Sequence, residues 1–291
     1  MGMQDAATRA PTGLAVHAGT AAAMVAFAAN SVLARAALAT GAADPVGYTA
    51  IRLVAGAAAL SLLARRRTAV AAPGPAGDPI AAAALFAYAL AFSLGYVRVG
   101  AATGALILFA AVQGGMIGWN VLRGARPSRR QTAGLAVAAV ALVALLAPGL
   151  HAPDPLGAAT MALSGAAWAV YTLRAGAGDP LRRTAANFRL AAPMAVAALL
   201  LPGVRIDVGA EGVLLAIASG ALASGLGYAV WYAVLPALPR NTAAVVQLSV
   251  PAIAAVAGVV LLGEPLGLAT LLPALAILGG VFLALRDPAA R

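Results

Sequence analysis

The sequence predicts an all-α integral membrane protein: ten transmembrane helices in two inverted five-helix repeats, with both termini cytoplasmic. Three observations predict it. Apolar residues make up 63% of the 291 positions and charged residues only 10%, whereas soluble domains run near half apolar and a quarter charged. Apolar runs recur along the chain at the length a helix needs to cross a hydrocarbon core, roughly 20 residues. Arginine concentrates in alternate connecting segments, the pattern of cytoplasmic loops.

The runs follow in order. The first, 14–39, is too long for a signal-peptide core and contains Asn30 and Arg35. The second, 45–64, opens on Asp44-Pro45, and the third, 79–97, on Asp78-Pro79. The fourth, fifth and sixth cover 102–122, 131–148 and 156–173. The seventh, 184–202, follows Asp179-Pro180, and the eighth and ninth cover 211–235 and 241–262. The tenth, 266–285, follows Glu264-Pro265. An acid beside a proline suits a helix start, where the dipole is positive and the first amide needs no partner. The runs are continuous and Ala/Leu-rich, so they are helices; barrel strands would alternate polar and apolar residues.

All 19 cationic side chains are arginine, giving a net charge of +10. In a soluble protein that would suggest nucleic acid; here it sets orientation. With the N-terminus inside, 14 arginines fall in cytoplasmic segments: Arg9, Arg65, Arg66, Arg67, Arg123, Arg126, Arg129, Arg130, Arg174, Arg182, Arg183, Arg240, Arg286 and Arg291. Only Arg98 and Arg205 fall in outer loops, and Arg35, Arg52 and Arg189 lie within helices. No partner beyond the lipid bilayer and a small-molecule substrate is expected: no nucleic acid, and a monomer is plausible.

The halves 14–148 and 156–285 resemble each other at an offset near 137–139 residues. Ile51-Arg52-Leu53 matches Phe188-Arg189-Leu190, Thr103-Gly104-Ala105 matches Thr242-Ala243-Ala244, and Gly124 falls opposite Gly263. Five spans per half invert the second half, the signature of secondary transporters with a site between the repeats. The corner after the fourth span is basic (Gly124-Ala125-Arg126), and that after the ninth is acidic (Gly263-Glu264-Pro265).

The stretch Val246-Gln247-Leu248-Ser249-Val250-Pro251-Ala252-Ile253, followed by Leu261-Leu262-Gly263-Glu264-Pro265, resembles the second-repeat signature of the drug/metabolite transporter superfamily, in its ten-helix branch with duplicated EamA domains. Ala167-Trp168-Ala169-Val170-Tyr171, Gly225-Leu226-Gly227-Tyr228-Ala229-Val230-Trp231-Tyr232 and Arg52 support the resemblance. The first repeat departs from the pattern, with Val112 where the mid-helix proline would stand. Within the family the chain is most similar to YddG-type amino-acid exporters. The resemblance implies a bacterial inner-membrane carrier that exports aromatic or other hydrophobic amino acids, or similar amphipathic metabolites, by alternating access.

Helical spacing groups the candidate substrate-binding side chains. Tyr88, Phe92 and Tyr96 share a face of the third span. Thr160, Ser164, Trp168 and Tyr171 share one in the sixth, and Ser224, Tyr228 and Tyr232 one in the eighth, beside Trp231. An aromatic cavity suits flat apolar side chains. The competing assignment, for Tyr96, Trp231 and Tyr232 near predicted span ends, is the interfacial belt or plain packing. Asn30, Gln113, Gln247 and Ser249 are candidate polar contacts, or else interhelical hydrogen bonds. Arg35, Arg52 and Arg189 are gating or structural charges; Arg52 and Arg189 lie five to seven residues from their predicted helix starts, within snorkelling reach. Pro193 and Pro251 are candidate hinges. Gly114 with Gly118, and Gly220 with Ser224, are small-residue pairs suited to close helix contact.

All nine Asp and Glu fall in loops, tails or helix ends, and His17 and His151 are peripheral. Proton-coupled carriers place a titratable group at depth, so gradient-driven transport without obligatory proton coupling is expected. With no Cys, no HExxH and no GxSxG, no enzyme activity, metal site or cofactor is expected. A carrier of another solute, nucleotide-sugar or drug-like, and a channel remain open alternatives. Scarce intramembrane cations weigh against the nucleotide-sugar.

Overall fold

The computed structural model describes residues 13–66, 77–124, 126, 128–146, 153–238 and 240–285. Arg9, Arg67, Ala125, Pro127, His151, Arg286 and Arg291 lie outside them. The described residues form helices and no strand: α1 (Gly13–Ala39), α2 (Pro45–Arg66), α3 (Pro79–Tyr96), α4 (Ala101–Leu122), α5 (Arg129–Leu146), α6 (Pro155–Leu173) and α7 (Pro180–Ala198). Next, α8 (Ala210–Ile217) runs through a π-helical stretch, Ala218–Leu226, into α9 (Gly227–Val234). Then come α10 (Arg240–Gln247), α11 (Ser249–Leu262) and α12 (Leu268–Leu285).

Aspartate starts the helices for the reason expected. The carboxylates of Asp78, Asp154 and Asp179 accept from free amides of α3, α6 and α7, each with proline in the first turn. Asp44 does the same for Val46 and Gly47 at the start of α2. This cap starts α7 at Pro180, a turn before the expected 184. Glu264 is the exception. It does not cap its own helix, which begins at Leu268; it accepts from the Ala101 amide at 2.7 Å, at the N-terminus of α4.

Seven rods are long and apolar enough to cross a membrane: α1, α2, α3, α4, α6, the α8–α9 rod Ala210–Ala237, and Val245–Leu262. α12 is apolar over the shorter Leu268–Ala284, while α5 and α7 carry arginines in their first turns. Large apolar side chains such as Val54, Val140, Leu200, Leu214 and Leu261 are exposed around the outside, as in a protein solvated by lipid rather than water.

Small residues set the packing inside. α3 and α4 lie on α6, α1 lies on α8–α9 and α11, α2 on α7 and the π-helical stretch, and α5 on α12. At the α2 crossing, a Cβ on Gly220 would strike the carbonyl of Arg52 and the amide of Gly56, so backbone meets backbone there. Gly134 and Gly280 make a reciprocal crossing of α5 and α12, each facing the other's carbonyl. Gly114 and Gly118 do not make the close contact expected of them: nothing lies within 4 Å of where their Cβ atoms would stand. The last turns of α4 are exposed instead. Pro193 lies inside a continuous α7, and the interruption near Pro251 falls three residues earlier, at Leu248 between α10 and α11.

Candidate functional site

The aromatic stripes of α3, α6 and α9 converge. Tyr96 meets Phe92 edge-on at 4.6 Å, Phe92 meets Tyr88 at 5.5 Å, and Tyr88 meets Trp168 of α6 at 4.7 Å. Trp168 contacts Tyr171 at 4.9 Å and stacks on Tyr228 of α9 at 6.2 Å, and Tyr228 stacks on Tyr232 at 5.8 Å. Phe27 of α1 and Phe188 of α7 close on Tyr228 from the sides, at 5.4 and 6.3 Å. Tilted, edge-on and offset rings at these distances are the favourable quadrupole geometries. Five helices thus contribute to one continuous aromatic seam.

Of the competing assignments for the residues near span ends, the structure favours packing over an exposed belt: Tyr96 is 0% and Trp231 5% exposed, and Tyr232 hydrogen-bonds Thr184 at 3.1 Å. The α3 and α6 stripes are also tied by Ser164, whose hydroxyl donates to the Tyr88 carbonyl at 3.0 Å.

Arg52 is the charge in the seam, and it does not snorkel. It is 3% exposed, because α2 is pressed on the π-helical stretch at that level and α3 covers the side chain. One terminal nitrogen donates to the Tyr88 hydroxyl at 3.2 Å. The guanidinium lies 4.7 Å from the Phe92 ring centre and 5.5 Å from that of Tyr88, within cation–π range. The other terminal nitrogen, Nη1, is buried without a hydrogen bond, as is the Tyr48 hydroxyl. Tyr48 lies in the electrostatic field of Arg52 and beside Ser219. Tyr48 was not singled out from the sequence; only its position one turn before Arg52 on the same face signals it.

Other expected site residues separate by role. Asn30, 7% exposed, accepts from Ser219 at 2.8 Å and from Ser224 at 3.2 Å. Its carbonyl is thus committed to binding α1 to the π-helical stretch. Gln113 and Gln247 are half-buried and outside the seam's ring contacts, and Ser249 donates back to Val246 of α10 at 2.7 Å. Arg189 is exposed and reaches only Ser61, at 3.5 Å. Among the described residues no group of three or more His, Cys, Asp or Glu is placed to hold a metal.

Arg35 belongs to a tie at one end of the molecule. It donates to Glu264 at 2.7 Å and to the carbonyls of Tyr96 and Val97 at 2.9 and 3.3 Å. The second Glu264 oxygen holds the Ala101 amide, so α1, the α3–α4 corner and the α11–α12 corner meet on one carboxylate. At the same end Ala43 bridges Val208, Asp44 and Asp207 exchange hydrogen bonds, and Arg98 pairs with Asp154 at 3.7 Å. At the other end Asp78 pairs with Arg174, and its amide donates to Asn187 at 2.9 Å. The Arg174 guanidinium and two helix amides hold the Asp78 carboxyl below the usual carboxylate range, against a smaller desolvation effect.

The sequence profile of the EamA-like transporter family matches residues 155–286. Uncharacterized protein PA1977 of Pseudomonas aeruginosa is 48% identical over 267 residues, covering 91% of this chain and 93% of that protein. A solved crystal structure superposes with a TM-score of 0.63 at 20% identity, covering 92% of this chain and 98% of that one; at such identity the likeness carries the fold alone.

Proposed function

We propose that the chain, which matches the EamA-like transporter family of the drug/metabolite superfamily over residues 155–286, is an alternating-access carrier exporting aromatic or other hydrophobic amino acids, or similar amphipathic metabolites. The observation that carries this reading is the aromatic seam from α3 through α6 to α9, ending on a buried cation. Stacking surfaces bind a flat apolar body, and Arg52 orients its polar end.

The reading has ten spans in two inverted halves, with both termini inside. The packing supports the inversion: α3 meets α6 as α1 meets α8–α9, and α2–α7 and α5–α12 pair across the halves. The loops support the alternation. Every tie joins segments that the arginine pattern assigns to the same side, Asp44–Asp207, Arg35–Glu264 and Arg98–Asp154 outside and Asp78–Arg174 inside. The seam is then reached from the cytoplasm when the inner ends part and released outward when the Arg35–Glu264 tie opens. No Asp or Glu among the described residues lies in the seam, so the cycle runs down the substrate's own gradient without obligatory proton uptake.

Reconstitution into liposomes with a labelled panel of aromatic and aliphatic solutes tests this. Saturable flux with counterflow is expected, and Trp168→Ala and Tyr228→Ala raise half-saturation without abolishing insertion. Flux that neither saturates nor shows counterflow would replace the carrier with a channel. An imposed pH gradient that alone drives uphill movement would overturn the uncoupled cycle.

A further inference from the structure

Arg52 has more hydrogen-bonding capacity than its surroundings use. Five N–H groups project from the guanidinium, yet its one side-chain hydrogen bond goes to Tyr88 and Nη1 is buried with none. The Tyr48 hydroxyl, 0% exposed, is likewise without a bond. The Arg52 nitrogen is thus left without an acceptor, and one turn away on the same face of α2 the Tyr48 hydroxyl has only Ser219 beside it, with no hydrogen bond formed.

Among the described residues no carboxylate supplies one. Asp78, Asp154, Asp179 and Glu264 are held by Arg174, Arg98, Arg182 and Arg35, and Asp44 and Asp207 bind each other's loops. The Asn30 carbonyl is taken by Ser219 and Ser224. A buried cation without a counter-ion is costly in a medium of low polarity, and an anion bound beside it removes that cost. An ammonium group brought to the same place meets a like charge and no acid.

We infer that the site takes a monocarboxylate with an aromatic body and no amino group, its carboxylate held by Arg52 Nη1 and the Tyr48 hydroxyl and its ring lying in the seam of Tyr88, Phe92 and Trp168. This rests on the carrier reading above and narrows it: the preferred solute is an aromatic acid anion rather than a zwitterionic amino acid. The consequence is electrical. A carrier that moves one such anion per cycle moves one negative charge. An inside-negative potential of about 100 mV then sustains an outward gradient of roughly 50-fold without any proton site.

The test uses the full chain in proteoliposomes and three labelled probes with the same ring and two-carbon spacing: 3-phenylpropanoate, phenylalanine and 2-phenylethylamine. The expected half-saturation for 3-phenylpropanoate is at least about ten-fold below that for phenylalanine, whose ammonium is buried beside a like charge with no acceptor, and no saturable flux is expected of the amine, which brings no carboxylate to Arg52. A potassium–valinomycin potential, positive on the receiving side, accelerates phenylpropanoate flux and leaves phenylalanine flux unchanged. Arg52→Gln raises half-saturation for phenylpropanoate roughly ten- to hundred-fold and removes the preference; Tyr48→Phe does so by a few-fold. The wild-type panel decides even if Arg52→Gln fails to insert. Equal half-saturation for phenylalanine and phenylpropanoate, or phenylpropanoate flux indifferent to potential, overturns the carboxylate anchor and leaves the aromatic carrier standing. Absence of saturable flux for every aromatic probe overturns both.

Discussion

Arg52 and Arg189 occupy equivalent places in the two halves of the sequence, each flanked by apolar residues on a helix opened by Asp-Pro. Their surroundings have little in common. Arg52 is buried under Phe92 and Tyr88, where α2 meets the π-helical stretch at Gly220. Arg189 sits on the exposed side of α7, with one long contact to Ser61. The corners diverge as well. Gly124 and Gly263 both take positive φ at the ends of α4 and α11, 91° and 66°. Glu264 then gathers three segments, whereas Arg126, two residues beyond Gly124, is exposed. Where one sequence pattern occurs twice, the packing of the other helices decides what each copy meets.

The strongest way to break this comparison is to neutralise both arginines. Arg52→Gln is expected to raise half-saturation roughly ten- to hundred-fold, while Arg189→Gln changes it by less than about five-fold, as for an exposed contact. Equal losses in the flux assay would mean that burial does not separate the two sites.

Glycine gives the next test. Gly220→Ala forces apart α2 and the π-helical stretch and costs about 1–3 kcal/mol. Gly114→Ala enters open space and is expected to stabilise α4 by up to about 1 kcal/mol. Melting temperatures in detergent should move in opposite directions.

The corners follow. Glu264→Gln removes the charge that ties Arg35 and the Ala101 amide, a loss of about 1–3 kcal/mol for hydrogen bonds to a charged group. The chain has no cysteine, so Ala102→Cys reports the opening of this end cleanly. Its labelling by an impermeant maleimide should accelerate several-fold with Glu264→Gln and stay constant with Arg126→Gln.

The smallest effect is at Asp78. Its folded carboxyl titrates below its unfolded value, so the stabilisation is fully present above the unfolded pKa of about 3.9 and is lost as pH falls through the lower folded value. Asp78→Asn keeps the helix cap and removes the charge. It should lower thermal stability by up to about 1 kcal/mol, as an exposed ion pair does. The difference should be constant from neutral pH down to about 5 and vanish in stronger acid.

Much of the fold was legible because its causes are local. Apolar run length, Asp-Pro starts and arginine-rich loops each act within a few residues, and the helices stand where those signals put them, with α7 starting a turn early because Asp179 caps it directly. The aromatic stripes were legible too, since Tyr88, Trp168 and Tyr228 lie on helical faces that periodicity reveals. What those faces meet was not. For Tyr96 and Trp231 the sequence left belt, packing and cavity open, and neighbouring helices bury them. Glu264 read as a cap for its own helix and serves another, 163 residues earlier in the chain.

Composition and pattern established a helical membrane protein, most of its helix boundaries and the aromatic faces that meet in the seam. Tertiary structure alone decided that Arg52 is enclosed with a nitrogen to spare, that Asn30 binds helices together and that Arg189 stays outside. The physical reason is distance along the chain. The partners at these positions come from segments 36 to 194 residues away, and no local pattern records which of them will arrive.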